Sequence, residues 1–232
     1  SSWTQIGSDI DGEAAGDGSG TSVSMDSAGD RVAIGGPYND GTGNYAGHVR
    51  IYEYSNSSWS QLGSDIDGEV GGDKSGYSVS MNSAGDRVAI GAYANDGTGN
   101  FAGHVRVYEY SNSSWSQLGS DIDGEAAGNC SGYSVSMNSA GDRVAIGGIY
   151  NNDAFTQAGH VRVYEYSNSS WTQIGSDIDG EAAHDYFGFS VSMNSAGDRV
   201  AIGAYGSNNG LDSTAGHVRV YEYSNSSWTQ LG

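Results

Sequence analysis

Short segments in which apolar and polar residues alternate recur along the chain, and this pattern predicts β-strands. Residues 78–83 and 104–110 alternate with a period of two, as expected for strands with one buried face. Residues 87–91 are short and apolar, as in a strand buried on both faces, and residues 115–119 form the fourth segment. Asn-Ser-Ala-Gly-Asp and Ser-Asn-Ser-Ser turns separate these segments. The pattern therefore predicts a four-stranded antiparallel meander.

The same pattern returns in an internal repeat of 56 or 57 residues, marked by the five tryptophans of the chain. These are Trp3, Trp59, Trp115, Trp171 and Trp228. The repeats span residues 3–58, 59–114, 115–170 and 171–227, and residues 228–232 begin a fifth outer strand. We interpret residues 1–232 as a single repeat domain.

A single four-stranded meander has two faces and cannot bury both of them alone. Stacking copies face to face around an axis covers both faces, which is the arrangement of blades in a β-propeller. The repeat is slightly longer than the ~40–50 residues of a typical blade, whereas the rung of a linear β-solenoid is much shorter. We therefore predict an all-β fold: a β-propeller of four-stranded antiparallel blades with four repeats per chain.

In the last repeat Phe187 and Gly188 begin the inner strand, and Gly203 and Ala204 follow at the end of the next one. This pattern resembles the FG-GAP repeat of integrin-type propellers and of many secreted bacterial repeat proteins. The other repeats keep the first glycine and replace the phenylalanine by Ser19, Ser75 or Ser131. The resemblance implies a propeller blade in every repeat and an extracellular or cell-surface location.

The resemblance also bears on calcium. Members of this family that bind calcium usually carry an Asp-rich loop between the first two strands of a blade. Only the Asn-Ser-Ala-Gly-Asp turn, at residues 82–86 and their counterparts, occupies that place here. The comparison with the family therefore implies that its usual calcium site is absent.

The two ends of the chain raise a question of ring closure. Residues 1–7 and 226–232 are both copies of the outer strand, and only one copy can complete the fourth blade of a closed four-bladed ring. The extra copy fits a free edge, a longer array of repeats or an exchange with a second chain. A homodimer that completes a larger ring is therefore among the predicted assemblies.

Composition narrows the range of partners. The formal net charge is −19, from 28 acidic and 9 basic residues, so nucleic acid and anionic lipid would be repelled. No run of 18 apolar residues occurs, and we predict no membrane insertion. The charge leaves cations, cationic partners and neutral sugars as ligands, and it also fits an acidic surface that only keeps the protein soluble.

A Ser-Asp-Ile-Asp-Gly-Glu run in every repeat concentrates the acids. Carboxylates at alternate positions around a glycine are similar to part of a calcium loop, so calcium is the cofactor that the sequence suggests. The alternative interpretation is a solvated acidic turn, in which water screens the like charges. The candidate metal ligands are Asp9, Asp11, Glu13, Asp65, Asp67, Glu69, Asp121, Asp123, Glu125, Asp177, Asp179 and Glu181.

The repeated histidines and arginines have structural interpretations. The histidines, one on the third strand of each repeat, are about 56 residues apart, and we predict hydrogen bonds at blade interfaces for them rather than a metal ring. The arginines are expected to clamp neighbouring strands through Asp or Glu. No Gly-x-Ser-x-Gly elbow, P-loop or dinucleotide motif occurs, and we predict that the chain is not an enzyme.

Differences among the four copies concentrate in two connections per repeat, one before the inner strand and one between the second and third strands. An up-and-down blade places both on the same side of the disc. Ligand-binding residues lie disproportionately on loops, which favours a binding face there, while faster drift of long loops is the alternative explanation. The predicted residues are Tyr38, Asp40, Asn44, Tyr45, Asp96, Phe101, Tyr150, Asp153, Phe155, His184, Tyr186 and Asp212.

These observations favour a non-enzymatic extracellular recognition or adhesion module that binds a glycan or a protein surface. Carbohydrate is the most concrete version, because propellers that the chain resembles include lectins. A purely structural repeat segment, or an engineered symmetric scaffold without a ligand, is the first alternative. A glycoside or ester hydrolase with acids facing a central channel is the second, although no pair of acids has a visibly distinct environment.

Overall fold

The computed structural model describes residues 2–207 and 215–232, and every regular element in these ranges is a β-strand. The first blade contains β1 (Ser22–Met25), β2 (Arg31–Gly36), β3 (His48–Ser55), β4 (Ser58–Gln61) and β5 (Ile66–Asp67). The second contains β6 (Ser78–Met81), β7 (Arg87–Ala92), β8 (His104–Ser111), β9 (Ser114–Gln117) and β10 (Ile122–Asp123). The third contains β11 (Ser131–Met137), β12 (Arg143–Gly148), β13 (His160–Ser167), β14 (Ser170–Gln173) and β15 (Ile178–Asp179). The fourth contains β16 (Phe187–Met193), β17 (Arg199–Ala204), β18 (His217–Ser224) and β19 (Ser227–Gln230).

The predicted meander is confirmed in each blade, because four consecutive strands pair antiparallel in chain order. The hairpin between β8 and β9 turns on Asn112 and Ser113, both with positive φ (51° and 64°), which is the two-residue turn that suits strand twist. Gly85 has a φ of +68° in the turn between β6 and β7, where a side chain would be strained. Local turn chemistry therefore fixes the order of the strands.

One element differs from the sequence prediction. The Ile-Asp pair inside three of the acidic runs forms a two-residue strand on the edge of the third strand of the same blade, as Ile66 does opposite Val49. An isolated apolar residue between acids gives no alternation, so the sequence indicates a turn there. Burial of the isoleucine explains the strand, because Ile66, Ile122 and Ile178 are all buried.

The core lies between successive blades. Ala33, Val49 and Ile51 of the first blade pack against Val79, Met81, Val88 and Ile90 of the second, and the next two interfaces repeat this arrangement with the equivalent residues. The inner strands β1, β6, β11 and β16 lie side by side in chain order. All-β blades stacked in this way are the architecture of a β-propeller.

Repeat boundaries and blade boundaries do not coincide. The second, third and fourth Trp-to-Trp repeats each supply the outer strand of one blade and the first three strands of the next. The indole of Trp115 donates to the carbonyl of Leu62 in the preceding repeat (2.8 Å), and its ring packs on Tyr110 with centroids 5.1 Å apart. The outer strands thus tie neighbouring repeats together.

The two outer-strand copies at the ends of the chain differ in structure. β19 completes the fourth blade by pairing with β18, whereas residues 2–6 form no strand and Trp3 is fully exposed. Within the described ranges, no helix is long and apolar enough to cross a membrane.

Candidate functional site

As far as the structure describes them, the two variable connections of a repeat lie together on one side of the blades, which we call the loop face. In the first repeat the amide of Tyr38 donates to the carbonyl of Asp17 (3.1 Å), and the Asn39 side chain donates to the Asp17 carboxylate (3.1 Å). Between repeats, the amide of Lys74 donates to the carbonyl of Tyr45 (3.1 Å). The loop face is therefore continuous from one repeat to the next.

The opposite side is nearly identical in every repeat and carries the arginine clamps. Arg31 donates through Nε and Nη2 to Glu53 Oε1 (2.9 and 2.8 Å), and the other repeats make the same pair of bonds. The remaining guanidinium nitrogen of Arg31, Nη1, donates across the interface to Gly85 O (3.2 Å). These charges are used within and between blades.

Three of the predicted ligand-binding carboxylates hold the loops that carry them. Asp40 Oδ1 accepts from the amide of Tyr45 (2.8 Å), and Asp96 Oδ1 accepts from the amide of Phe101 (2.7 Å). Asp153 Oδ2 accepts from the Asn151 side chain (2.9 Å). A carboxylate has lone pairs for further bonds, so this structural role leaves acceptor capacity for a ligand.

The predicted aromatic residues project from these loops. Tyr45 and Phe101 occupy the same repeat position, both exposed and both with positive φ (56° and 54°), a conformation that bulky residues rarely adopt. Tyr150 and Phe155 are exposed in the third repeat. Large apolar groups fixed in solvent by the backbone are a feature of contact surfaces.

A groove of about 400 Å³ opens between the two connections of the second repeat. Asp96 and Phe101 line one side, and Val70 and Asp73 line the other. Its volume lies in the range of small-ligand sites. Two predicted residues therefore border a concave surface rather than a flat one.

A set of aromatic rings near the inner strands links several repeats on the loop face, and we call it the aromatic cluster. Its members are Tyr77, Tyr93, Tyr133, Tyr150, Tyr186, Phe189 and Tyr205, with neighbouring ring centroids 4.5 to 5.7 Å apart. These separations are those of favourable edge-to-face and offset aromatic pairs. The cluster forms one continuous amphipathic surface.

Hydrogen bonds order the cluster. Tyr77 Oη donates to Tyr133 Oη (3.1 Å), and Lys74 Nζ donates to Tyr93 Oη (2.8 Å) while lying 5.0 Å from the centre of that ring. Burial, followed by the bond from Tyr77, raises the pKa of Tyr133, so its phenol stays protonated at neutral pH. The Tyr133 hydroxyl is therefore a neutral group that can donate to or accept from a ligand.

Most of this cluster is absent from the residues predicted above. Tyr77, Tyr133 and Phe189 share one repeat position with Thr21, and Tyr93 and Tyr205 share another with Pro37 and Ile149. Both positions lie in the variable connections. The enrichment of aromatic residues at these positions among the four copies is the sequence signal from which the cluster could have been predicted. Stacking of the blades, which the sequence does not show, brings these positions into contact.

The remaining predicted loop residues have these positions. His184 Nδ1 and Tyr186 Oη both lie 3.0 Å from Oε1 of Gln157, which joins the third and fourth repeats. Asn44 is exposed beside the groove wall of the second repeat. Asp212 lies outside the described residues.

The acids of one Ser-Asp-Ile-Asp-Gly-Glu run do not converge on one point. Asp65 lies 3.8 Å from Nδ1 of His48 in the first blade, whereas Glu69 lies 4.0 Å from Nδ1 of His104 in the second. Asp67 belongs to β5 on the edge of the first blade. A single calcium loop made of one run is therefore not the arrangement in the structure.

The acids regroup across repeats instead. Glu13, His48 and Asp65 form one such group; the others are Glu69, His104 and Asp121, and Glu125, Asp153, His160 and Asp177. His48 Nδ1 is buried without a hydrogen bond, 3.7 Å from Glu13 and 3.8 Å from Asp65. Arg50 also approaches Glu13 (3.9 Å) and supplies a positive charge there. Metal binding by these carboxylates stays a prediction.

A cysteine occurs in only one of the repeats, as Cys130, and its side chain is buried. Burial raises the pKa of its thiol to about 11, so it stays protonated and unreactive near neutral pH.

In a comparison with known families, residues 177–221 match the model of the FG-GAP repeat. This segment is similar to an FG-GAP repeat. The match covers the acidic run of the last repeat and most of the fourth blade, and the other three repeats have nearly the same sequence in this segment. The resemblance read from the sequence is confirmed. No curated protein sequence matches the chain.

Solved structures similar to this chain share its fold. Hydrazine synthase of Kuenenia stuttgartiensis is 10% identical with a TM-score of 0.56, over 98% of this chain and 51% of that one. A putative 6-phosphogluconolactonase from Bacteroides uniformis is 9% identical with a TM-score of 0.50, over 92% of this chain and 71% of that one. The chain thus spans about half the length of the hydrazine synthase chain. At these identities the likeness shows the fold alone.

Proposed function

We propose that the chain is a non-enzymatic, extracellular carbohydrate-binding module whose ligand lies on the loop face. The observation that carries the proposal is the aromatic cluster with its exposed member Tyr150, together with the exposed Phe155 in the same repeat. Pyranose rings present apolar C–H faces that pack on aromatic rings and hydroxyl groups that hydrogen-bond to Tyr, Asn and Asp side chains around them.

Charge supports a neutral or cationic ligand rather than an acidic one. The chain carries 28 acids against 9 bases, and Lys74, the single lysine, already donates to Tyr93. An anionic ligand would meet a repulsive field over most of the surface. Neutral sugars avoid this cost because they bring no charge to the loop face.

The test is an array of immobilised neutral and acidic glycans probed with the labelled chain, followed by titration of the best neutral glycan. We expect Tyr150→Ala combined with Phe155→Ala to weaken binding at least tenfold, or about 1.4 kcal/mol. Trp3→Ala is the matched control, because it removes an exposed aromatic side chain that belongs to neither variable connection.

Two results would reject the proposal. Unchanged affinity in the double variant would show that the ligand lies elsewhere than on these rings. Retention of no glycan on the array, with a folded chain, would remove carbohydrate as the ligand class.

A further inference from the structure

The first blade exposes apolar side chains on the face that points away from the second blade. Val23 is 64% exposed and Met25 is 52% exposed, although both lie on a strand at the centre of the fold. Their counterparts in the second blade, Val79 and Met81, are 9% and 6% exposed because the first blade covers them. The first blade therefore has the surface of an interface without the covering blade.

The last blade exposes the complementary face. Val218 is 68% exposed and Val220 is 37% exposed on β18. The equivalent residues of the second blade, Val105 and Val107, are 0% and 1% exposed because the third blade packs on them. A hollow of about 370 Å³ beside Val218 and Phe189 marks the same uncovered side.

Hydrogen bonds across the interfaces within the chain follow one rule. Ser22 Oγ donates to Gly76 O (2.7 Å), and the amide of Met81 donates to Ser24 Oγ (2.9 Å). The other two interfaces repeat both bonds with the residues 56 positions further on. By this rule, Ser190 Oγ of the last blade is placed to donate to Gly20 O of a first blade. Ser192 Oγ is likewise placed to accept from the amide of Met25.

We propose that a second copy of this chain closes the molecule, with the first blade of each copy packed on the last blade of the other. The contact is between two different surfaces, and such contacts close into a ring when the rotation fits. Propellers contain 4 to 8 blades, and two copies of four blades make a ring of eight. The new interface occurs twice and has the geometry already present three times within one chain.

The segment before the first blade fits the same arrangement. Ile10 and Asp11 correspond to the short edge strand β5, whose Ile66 and Asp67 pair with Val49 and His48. Across the new interface, Ile10 and Asp11 of one copy reach Val218 and His217 of the other in the same register. This pairing buries Ile10 as Ile66 is buried at 4% exposure.

Substitution of one glycine in the last blade can test the new interface without disturbing the single chain. A Cβ at Gly91 would overlap the carbonyl oxygen of Gly132 in the next blade, and Gly35 and Gly147 meet the same obstacle. At Gly203, the equivalent position of the last blade, a Cβ would meet only the side chain of Ser190. Gly203→Ala is therefore tolerated by the single chain and obstructs the docking of a second copy.

The experiment is a measurement of mass in solution by light scattering during gel filtration. The proposal requires twice the 24.0 kDa of one chain for the unmodified protein. Val23→Lys and Gly203→Ala must each give the mass of one chain. Val70→Lys, at a valine that is 63% exposed on the loop face, is the matched control and must keep the doubled mass. Far-UV circular dichroism of each variant confirms folding.

Three outcomes overturn the proposal. A single-chain mass for the unmodified protein at high concentration removes self-association. A doubled mass in Val23→Lys shows that last blades pair with each other instead. A mass that grows with concentration beyond two copies indicates an open filament rather than a closed ring.

Discussion

The buried ring of His104 lies among charged groups that affect its pKa in opposite directions. His104 Nδ1 is 3.8 Å from Asp121 and 4.0 Å from Glu69, and both carboxylates favour the charged ring. Burial, followed by the neighbouring Arg106, nevertheless holds the pKa of His104 below its usual value. The ring is therefore neutral in the folded protein at neutral pH.

Mild acid is expected to destabilise the fold through the His104 ring. Because the pKa of His104 is lower in the folded than in the unfolded chain, the unfolded chain takes up the proton first, and stability falls below pH about 6.5 by at most about 1.4 kcal/mol per pH unit. We expect His104→Gln to reduce the fall in Tm between about pH 7.5 and 5.5. His160 holds the pKa of Asp177 below its usual value, and this effect is lost only below pH 3.8.

The control for the histidine experiment is His184→Gln, which removes an exposed ring from a loop. An equal reduction of the fall in Tm in both variants would contradict a specific role of the buried His104 ring.

At the scale of elements, close approach of one strand to the next blade determines where glycine is required. Gly91→Ala must push β7 away from the carbonyl of Gly132, and we expect it to lower the free energy of unfolding by about 2 kcal/mol or more. Gly203→Ala in the last blade should change it by less than about 1 kcal/mol, because only a rotatable serine side chain is displaced.

Both glycine variants are best compared by urea unfolding in the Val23→Lys background, so that association does not contribute. Equal losses at the two positions would show that the backbone contact between blades does not limit the choice of residue.

The strands that the sequence predicts are those with a local signal. Residues 78–83 alternate and are flanked by turn residues, so β6 and β7 could be placed without knowledge of the fold. The strand at Ile66 and Asp67 has no such signal, because its pairing with β3 depends on a contact between residues from two repeats. The aromatic cluster and the regrouped acids were not predicted for the same reason, because their contacts join residues from different repeats.

At the scale of the whole molecule, the residues substituted to test binding and association lie apart, although Phe189 and Tyr205 of the aromatic cluster also line the hollow on the uncovered last blade. Tyr150 and Phe155 belong to the third repeat, while Val23 lies on the uncovered face of the first blade. The failure of one proposal therefore leaves the other open to test.

Val23→Lys is expected to keep the affinity of the unmodified chain for a soluble glycan within about twofold. On a surface dense in the same glycan it should bind more weakly, because a single copy loses the gain from two linked sites. Surface plasmon resonance with both formats measures the difference. A variant that loses binding to the soluble glycan would show that the loop face needs the closed ring.

The three interfaces inside the chain use the same bonds at the same spacing, as in the pairs Ser22 with Gly76 and Ser78 with Gly132. An in-frame duplication of one repeat would therefore add a blade whose two faces already fit their neighbours. Ring size can then change in single steps during evolution while each interface is conserved, and the loops of the added copy are free to acquire a different specificity.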